Sequence, residues 1–379
     1  MLLNNRINKY MNTKQPIIVH IAPYYPPHIG GLENVAKMSA EELAKRNYVV
    51  RVITSTSSGV KRGVEKIGNL QVTSLASFEF ARTPIAPMLL WELLTLPKNS
   101  IIHLHFSQAY WPELILLVAK LRNIPYLIHF HLDVKPSGFF GCIFVIYKKL
   151  LWGPMLRNAE KVIACSQDQI KVIHGRYKVP MKDIVLISNA VAEKFFAKGP
   201  YSSHKEIFNL LYVGRIVLQK RVDRIIEAVA KLSIPVHLSI VGDGYERKKL
   251  EHLVKKLHLN NVTFEGQKTS AEIINYHKKN HALVISSDEE GTSLVMLEAM
   301  AAGLPIIGTN VKGIDELTKG VGILVDEPYV ENFSIAIKEL WSNPKKLEIL
   351  SKQSVEKAKQ YSWTRFIKQL EAVYSSIKP

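Results

Sequence analysis

The stretch Ser286-Ser-Asp-Glu-Glu-Gly-Thr-Ser-Leu-Val-Met-Leu-Glu-Ala-Met-Ala-Ala-Gly-Leu-Pro305 connects two short apolar runs, Leu283–Ser286 and Pro305–Gly308. Thr292 or Ser293 can cap a helix that continues through Glu298. Gly303 ends that helix, and the proline that follows prevents its continuation. A buried strand, a helix and a second buried strand in this order predict a βαβ unit, and therefore an α/β fold.

The same alternation continues along the rest of the chain. Short runs rich in Val, Ile and Leu, separated by helical patterns, are typical of buried parallel strands. The pattern occurs in two blocks, which fits 379 residues, a length that one hydrophobic core seldom serves. The other predicted strands are Ile17–Ala22, Val49–Ser55, Ile101–His105, Tyr126–His131, Val162–Cys165, Ile184–Ser188, Asn209–Gly214, Val236–Val241 and Val262–Phe264.

A cluster of Gly, Pro and Ser at residues 197–203 interrupts the alternation, and a new strand follows it. We place the domain linker there. The first predicted domain covers residues 1–198 and the second covers residues 204–361.

The composition limits the class of protein. Two cysteines, Cys142 and Cys165, are too few for a disulfide framework and are expected to be buried thiols. The N-terminus has no apolar segment typical of a signal peptide, and no apolar run reaches the length of a membrane span. We therefore expect a cytoplasmic protein.

The net charge of +17 attracts anionic partners without selecting among them. The basic residues are scattered in pairs, with no solid basic block and no aromatic-rich RNA motif. A solvated surface is the first interpretation and a membrane-facing patch the second. Nucleic acid is not an expected partner.

The quoted stretch also predicts an anion site. Free backbone N–H groups and the helix dipole at a helix N-terminus favour phosphate. Glu290 lies just before the helix and Glu298 inside it. Two carboxylates would repel a diphosphate, so we expect each to accept hydrogen bonds from neutral hydroxyls. A nucleotide sugar carries hydroxyls on both sides of its diphosphate. The alternative is that both glutamates are ordinary surface residues.

A second anion site is predicted in Tyr212-Val-Gly-Arg-Ile-Val-Leu-Gln-Lys-Arg-Val-Asp223, between a strand and the predicted helix Val222–Ala230. Arg215 supplies a planar fork and Lys220 a mobile point charge, a pair suited to a leaving diphosphate.

Together these motifs resemble the retaining glycosyltransferases of family four, which adopt the GT-B fold. The resemblance is carried by Glu290 and Glu298 with Leu297-Glu-Ala-Met300 and Gly303-Leu-Pro305, and covers nearly the whole chain. Its other segments are Pro26-Pro-His-Ile-Gly-Gly-Leu-Glu33, Ser188-Asn-Ala-Val191, Val213-Gly-Arg215 with Lys220, Val241-Gly-Asp-Gly244 and Tyr361-Ser-Trp363. It implies two Rossmann-like doubly wound domains facing a central cleft, with a final helix, residues 362–379, packed on the first domain.

The resemblance also implies a role for each matching position. Arg215 and Lys220 would hold the diphosphate, Glu298 the ribose, and Glu290 the transferred sugar. The backbone at Gly30 and Gly31 would approach the donor phosphate, since a side chain there would block it. Backbone amides of the helix start would face sugar and phosphate; they belong to Gly291, Thr292, Ser293 and Leu294.

Three positions depart from the family pattern. The family commonly has Asn-Gly-Val-Asp at Asn189-Ala-Val-Ala192, Lys-Gly at Lys220-Arg221, and Glu-Gly-Phe-Gly at Glu290-Gly-Thr-Ser293. The last change lies near the transferred sugar and leaves the donor open.

Two His-x-His pairs, His103/His105 and His129/His131, end predicted strands, where alternate residues share a face. A four-histidine metal site and structural histidines are two interpretations. The resemblance favours a third, in which His131 contacts the transferred sugar and acts in catalysis. We expect no catalytic metal and no other cofactor, because Arg215 and Lys220 already supply positive charge.

These observations predict a retaining glycosyltransferase that uses a nucleotide-sugar donor, with a UDP-sugar favoured and a GDP-sugar next. The acceptor is a hydroxyl, with lipid-linked and envelope glycans as candidates. The alternatives are another GT-B enzyme, such as a nucleotide-sugar epimerase or a phosphorylase, and a non-catalytic sugar-nucleotide-binding subunit.

The segment Phe139–Trp152 combines bulky apolar side chains with lysines, as an interfacial helix does. It predicts peripheral contact with the inner face of a membrane. The alternative is a helix that covers the first sheet.

Overall fold

A computed structural model describes residues 15–28, 30–80, 83–106, 109–131, 147–196, 207–290 and 293–378. Contacts divide the chain into unit 1, Met1–Ser188 with Phe366–Pro379, and unit 2, Asn189–Arg365. The division after Ser188 precedes the predicted linker, and residues 197–203 of that linker lie outside the described residues.

Unit 1 contains a sheet with the order β10-β9-β8-β7-β1-β2-β4-β3, and β5 pairs with β6 apart from it. The pairs in the sheet are parallel, except that β3 runs antiparallel to β4. The strands are β1 Ile17–Ile21, β2 Val50–Ser55, β3 Gly63–Ile67, β4 Leu70–Leu75, β5 Phe78–Phe80, β6 Thr83–Ile85, β7 Ser100–Phe106, β8 Tyr126–Phe130, β9 Lys161–Ala164 and β10 Ile184–Leu186.

Unit 2 contains a parallel sheet with the order β13-β12-β11-β14-β15-β16. Counted along this unit, the order is 3-2-1-4-5-6, which is that of the Rossmann fold. The strands are β11 Phe208–Val213, β12 Val236–Val241, β13 Val262–Gly266, β14 Ala282–Ile285, β15 Ile306–Thr309 and β16 Gly322–Val325.

Helices follow most of the parallel strands, as the predicted α/β alternation requires. They are α1 Gly31–Lys45, α2 Leu89–Leu94, α3 Trp111–Arg122, α4 Gly153–Asn158, α5 Gln167–Tyr177, α6 Val222–Ala230, α7 Arg247–Lys256, α8 Ser270–Lys279, α9 Leu294–Ala301, α10 Asp315–Thr318, α11 Tyr329–Ser342, α12 Pro344–Lys359 and α13 Trp363–Ser375. The predicted fold class is confirmed.

Helix α13 ends in unit 1, since the residues from Phe366 onward belong to that unit. Tyr374 is buried, and its hydroxyl lies 2.6 Å from Nδ1 of His103 on β7. Arg46, which follows α1, pairs with Glu371 at 3.2 Å. The final helix therefore supplies part of the interior of unit 1.

The interior of unit 1 also contains a group of histidines. We call His20, His103, His105, His129 and His131 the histidine cluster; the first four are fully buried. Burial lowers the pKa of His20 and of His131 to about 3. Burial, followed by repulsion from neighbouring histidines, holds the pKa of His103, His105 and His129 well below the usual value. The cluster is therefore neutral at physiological pH.

We expect unit 1 to lose stability in acid. An unfolded histidine takes up a proton below about pH 6.5, whereas a cluster histidine in the folded chain does not. The contribution of the cluster to the free energy of unfolding should thus be constant above pH 6.5. Between pH 6 and pH 4 it should fall by about 1.4 kcal/mol per pH unit for each cluster histidine. Thermal unfolding followed across this range measures the slope.

The matched variant is the double change His103→Leu with Tyr374→Phe, which removes both partners of one hydrogen bond. Its unfolding free energy should fall less steeply with acid, by about 1.4 kcal/mol per pH unit. The control is His252→Asn, at an exposed position in unit 2. Equal acid slopes in the wild type and the double variant would contradict the expectation.

Candidate active site

The Rossmann order of unit 2 reverses direction between β11 and β14. In open parallel sheets, ligands bind outside the carboxyl ends of the strands at such a switch point. The segment Gly214–Arg221 follows β11, and the segment Ser286–Glu290 follows β14. The two segments that the sequence singled out as anion sites thus meet at one place in the sheet.

Hydrogen bonds join these two segments. The hydroxyl of Ser286 donates to the backbone carbonyls of Lys220 and Arg221 at 2.9 and 2.7 Å. The backbone N–H of Asp288 donates to the carbonyl of Gln219 at 3.0 Å, and the Gln219 amide donates to the carbonyl of Glu289 at 3.2 Å. Each loop therefore fixes the course of the other.

Lys220 and Glu290 form an ion pair across the two segments. The hydroxyl of Ser287 donates to the same carboxylate oxygen at 3.0 Å. The sequence predicts a diphosphate contact for Lys220 and a sugar contact for Glu290. It does not predict the contact between these two side chains. The pair brings a cation and a carboxylate to one point, where the two charges neutralise each other.

Asp288, two residues before Glu290, has a different cationic partner. Arg224 on α6 pairs with Asp288 at 2.8 Å, and its guanidinium also donates to the carbonyl of Ser286 at 3.1 Å. The same guanidinium lies 4.1 Å from the ring centroid of Tyr329. Arg224 was missed by the sequence reasoning. Its position in α6, with an acidic loop one strand away, was the available signal.

Arg215 is exposed at the end of β11, and its carbonyl accepts a hydrogen bond from the Tyr212 hydroxyl at 3.0 Å. The glycines of Val241-Gly-Asp-Gly244 support this turn from the next strand. A Cβ on Gly242 would lie 1.9 Å from the carbonyl oxygen of Gly214, and one on Gly244 would lie 2.1 Å from that of Ile216. Close backbone approach explains these two glycines.

Helix α9 starts at Leu294, with Ser293 as its N-cap residue, although the Ser293 side chain makes no capping hydrogen bond. Gly303 adopts a φ of 82° after the helix, which favours glycine. Gly291 and Thr292, both predicted donor contacts, lie outside the described residues.

Glu298 lies in α9 between the buried residues Leu297 and Ala299. Burial raises the pKa of its carboxyl to about 7, and the charge of Lys194 acts in the opposite direction. A carboxyl in this setting gains from hydroxyl donors that stabilise its charged form. That property agrees with the ribose role that the family resemblance implies.

In unit 1, Gly30 is the N-cap residue of α1 and Gly31 is the first residue of that helix. A Cβ on Gly30 would lie 2.0 Å from a carboxylate oxygen of Glu33, so glycine makes room for this side chain. Glu33 in turn contacts Nδ1 of His28 at 2.9 Å. The family resemblance implies a further reason for this glycine, the approach of its backbone to a donor phosphate, which stays a prediction.

His131 follows β8 and is the partly exposed member of the histidine cluster. The backbone carbonyl of His131 accepts a hydrogen bond at 2.9 Å from the amide of Gln169. The cluster also includes His20 of β1, which the sequence reasoning missed. The signal was its place in a predicted strand, because β1 pairs with β7 and sets His20 beside His103.

Two triplets in the cluster could hold a metal ion by distance alone: His20, His103 and His105, and His105, His129 and His131. One nitrogen from each residue of a triplet lies within 4.8 Å of the others. However, His20 Nδ1 and His105 Nε2 are 2.9 Å apart, and His105 Nδ1 and His131 Nε2 are 3.0 Å apart. Two nitrogens on a tetrahedral zinc would be about 3.4 Å apart. Hydrogen bonds between rings account for these shorter contacts.

The predicted membrane segment is described only from Tyr147 onward, and residues 139–146 lie outside the described residues. Trp152 is fully buried, and the Lys148 ammonium lies 4.6 Å from its ring centroid. Trp152 fills the core of unit 1, so its side chain does not take part in the membrane contact predicted for this segment, and that contact stays a prediction. Leu150 and Leu151 are exposed. No helix in the described part of the chain is long and apolar enough to cross a membrane.

Two family models match consecutive parts of the chain: "Glycosyltransferase Family 4" over residues 29–195 and "Glycosyl transferases group 1" over residues 193–357. The N-acetyl-alpha-D-glucosaminyl L-malate synthase of Bacillus anthracis is 27% identical over 77% of this chain and 78% of its own. One component of the phosphatidylinositol N-acetylglucosaminyltransferase of Arabidopsis thaliana is 24% identical over 94% of this chain and 81% of its own.

A solved structure of the Anabaena protein HepE in complex with UDP has a similar fold. Its TM-score is 0.78 at 17% identity, and the match covers 96% of this chain and 100% of that chain. At this identity the likeness concerns the fold alone. The family models and the relatives confirm the predicted transferase class. The chain is a glycosyltransferase of the family-four type, and its fold is of the GT-B class.

Proposed function

We propose that this glycosyltransferase moves a sugar from a UDP-sugar to an acceptor hydroxyl, with retention of the anomeric configuration. The observation that carries the proposal is the Lys220–Glu290 ion pair at the switch point between β11 and β14, with Arg215 in the same loop as Lys220. This is where a Rossmann-type sheet binds a nucleotide, and the cations suit a diphosphate that gains charge as it leaves.

The Lys220–Glu290 pair suggests how the site responds to its substrate. A diphosphate beside Lys220 would compete with Glu290 for the ammonium group. The released carboxylate would then accept hydrogen bonds from hydroxyls of the transferred sugar. The proposal keeps Glu298 as the ribose ligand and His131 as a contact of the sugar. Gly30, Gly31, Ser293 and Leu294 keep the backbone roles that the family resemblance implies.

The relatives guide the choice of substrates. Two of them are named for N-acetylglucosaminyl products or transfer, and HepE was solved with UDP. UDP-N-acetylglucosamine is therefore the first donor of the proposal. A hydroxyl on a glycan or glycolipid precursor is its acceptor, at the inner face of a membrane. The net charge of +17 and a relative named for a phosphatidylinositol support an anionic lipid surface.

A donor screen tests the proposal. Purified protein should release nucleotide from UDP-sugars faster than from GDP-, ADP- or dTDP-sugars, and UDP-N-acetylglucosamine should lead. A mixed panel of polyol and lipid-linked acceptors should raise the rate, and NMR coupling constants of the product should show the donor's anomeric configuration. Epimer formation without acceptor, or release of sugar onto phosphate, would instead identify the alternative enzyme classes.

We expect Glu290→Gln and Arg215→Ala each to lower kcat by about 10²–10³ at saturating donor, because each removes a charged contact in the transition state. The matched control is Glu289→Gln, one residue away in the same loop, which should keep kcat within a few-fold of the wild type. Circular dichroism checks the fold of all three. Near-normal kcat for Glu290→Gln would refute its assignment.

We expect turnover to persist in EDTA, because the proposal uses no metal and no other cofactor. Arg215 and Lys220 supply the positive charge for the leaving diphosphate. Ion pairs engage Asp288 and Glu290, the carboxylates that might otherwise bind a metal. Rates are to be compared before and after dialysis against the chelator. Loss of turnover that Mn²⁺ or Mg²⁺ restores would count against the metal-free proposal.

A further inference from the structure

Three members of the histidine cluster form a hydrogen-bonded row, His20–His105–His131, which we call the histidine chain. Nδ1 of His20 lies 2.9 Å from Nε2 of His105, and the ring centroids are 5.2 Å apart. Nδ1 of His105 lies 3.0 Å from Nε2 of His131, and these centroids are 5.3 Å apart. In both contacts the centroid distance exceeds the nitrogen distance by about two ring radii, so the rings meet end to end.

In an end-to-end contact the line between the two nitrogens lies in the plane of each ring. The N–H bond or the lone pair of an imidazole nitrogen lies in that plane as well. Interplanar angles of 24° and 17° keep the rings close to one plane. These are the directions that an N–H···N hydrogen bond requires. A neutral imidazole has one N–H and one lone pair, so both bonds of the chain must run in the same direction.

His20, at the buried end of the histidine chain, decides the direction in which the hydrogen bonds are donated. Nε2 of His20 is buried without a hydrogen-bond partner in the described structure. If the bonds ran toward His20, this nitrogen would carry a proton with no acceptor. If they run toward His131, it carries only a lone pair. Buried donors without partners are rarer in proteins than under-satisfied acceptors. The favoured chain therefore donates from His20 to His105 and from His105 to His131.

We infer that His20 and His105 are positioning residues that hold His131 as the neutral tautomer with its proton on Nδ1. Nε2 of His131 then accepts a hydrogen bond from Nδ1–H of His105. The N–H at Nδ1 of His131 is therefore the one donor that its ring can offer to a ligand. The inference rests on the proposed contact between His131 and the sugar. It predicts that this contact is a hydrogen bond from imidazole to a sugar oxygen.

The surroundings of the chain keep it neutral and in place. Groups that face it are His103 and His129 from the same strands, whose pKa values burial holds well below the usual range. Tyr374 bonds His103 from α13, and the Cys165 thiol lies 3.4 Å from Nε2 of His129. Burial raises the pKa of this thiol to about 12, so it also stays uncharged.

Gln169 fixes the main chain at the exposed end. Its amide N–H donates to the carbonyl of His131 at 2.9 Å, and its amide oxygen accepts from the N–H of Cys165 at 2.7 Å. The backbone of His131 is thus held by one contact and its ring by another. An apolar side chain at His20 would fill the same space without leaving a buried nitrogen unpaired, so packing alone gives no reason for a histidine there.

The test reads the tautomer directly. Protein labelled with ¹⁵N at histidine is examined by long-range ¹⁵N–¹H correlation at pH 7.5, and the His131 signals are assigned by their loss in His131→Asn. In the wild type, Nδ1 of His131 is expected to be protonated and Nε2 of His131 to be unprotonated. A proton on Nε2 of His131 would overturn the inference without any variant.

Variants at the buried end separate positioning from packing. His20→Leu removes the donor to His105, so the proton of His131 should shift to Nε2 and kcat should fall about 10- to 100-fold with an unchanged KM for donor. His20→Asn keeps a side-chain donor near the position of Nδ1 and should retain both the tautomer and most of kcat. The matched control, His103→Leu with Tyr374→Phe, removes a ring that packs against His20 and His105 but whose hydrogen bond goes to Tyr374, and it should leave the tautomer intact.

The readouts also separate this inference from the proposed function. If the tautomer shifts in His20→Leu and kcat falls, both stand. If the tautomer shifts and kcat does not change, the positioning role of the histidine chain is supported and the catalytic role of His131 is wrong. If His131 keeps one tautomer in both proteins, the inference is wrong whatever the rates.

Discussion

The candidate site in unit 2 depends on hydrogen bonds between two loops that are distant in sequence. Ser286 donates to the carbonyls of Lys220 and Arg221, and the backbone of Asp288 donates to Gln219. Parallel strands deliver both loops to the same edge of the sheet, but strands alone do not fix the directions of the side chains. These hydrogen bonds do so, and they place Lys220 against Glu290. Arg224 adds a charged tie from α6 to Asp288, so the carboxylates of the loop point in different directions.

Unit 1 handles its polar residues differently. Its histidines lie in the interior, where burial keeps them uncharged and where His20, His105 and His131 hydrogen-bond one another. Such an arrangement costs acid stability, because the unfolded chain binds protons that the folded chain excludes. Apolar side chains would avoid that cost. Unit 1 nevertheless retains polar rings in its core, and they lead to the partly exposed His131 at a strand end.

Much of this could be predicted from the sequence, because the informative signals are local. Helix α6 occupies the predicted range Val222–Ala230, Glu290 precedes α9, and Glu298 lies within it. The hairpin of β3 and β4 and the edge strand β16 were missed. Strand β3 is exposed along its whole length and carries no continuous apolar run. Edge strands of this kind lack the periodic signal on which the prediction relied.

The side-chain partners could not be predicted, because they depend on strand order. Nothing local to Lys220 indicates that its ammonium group contacts Glu290 rather than solvent. His20 joins the cluster only because β1 lies beside β7. The segment that ends at Trp152 contains lysines and bulky apolar residues, a composition typical of a membrane-surface helix. Only the packing shows that the Trp152 ring belongs to the core.

The route of the chain has a consequence for its biosynthesis. The strands of unit 1 are complete at Leu186, yet the residues that close its interior, Phe366 and Tyr374, come after the whole of unit 2. During translation, the histidine cluster of unit 1 therefore lacks the side chains of Phe366 and Tyr374 until unit 2 has been synthesised. The helix that completes the interior of unit 1 is therefore synthesised after all the strands of unit 2.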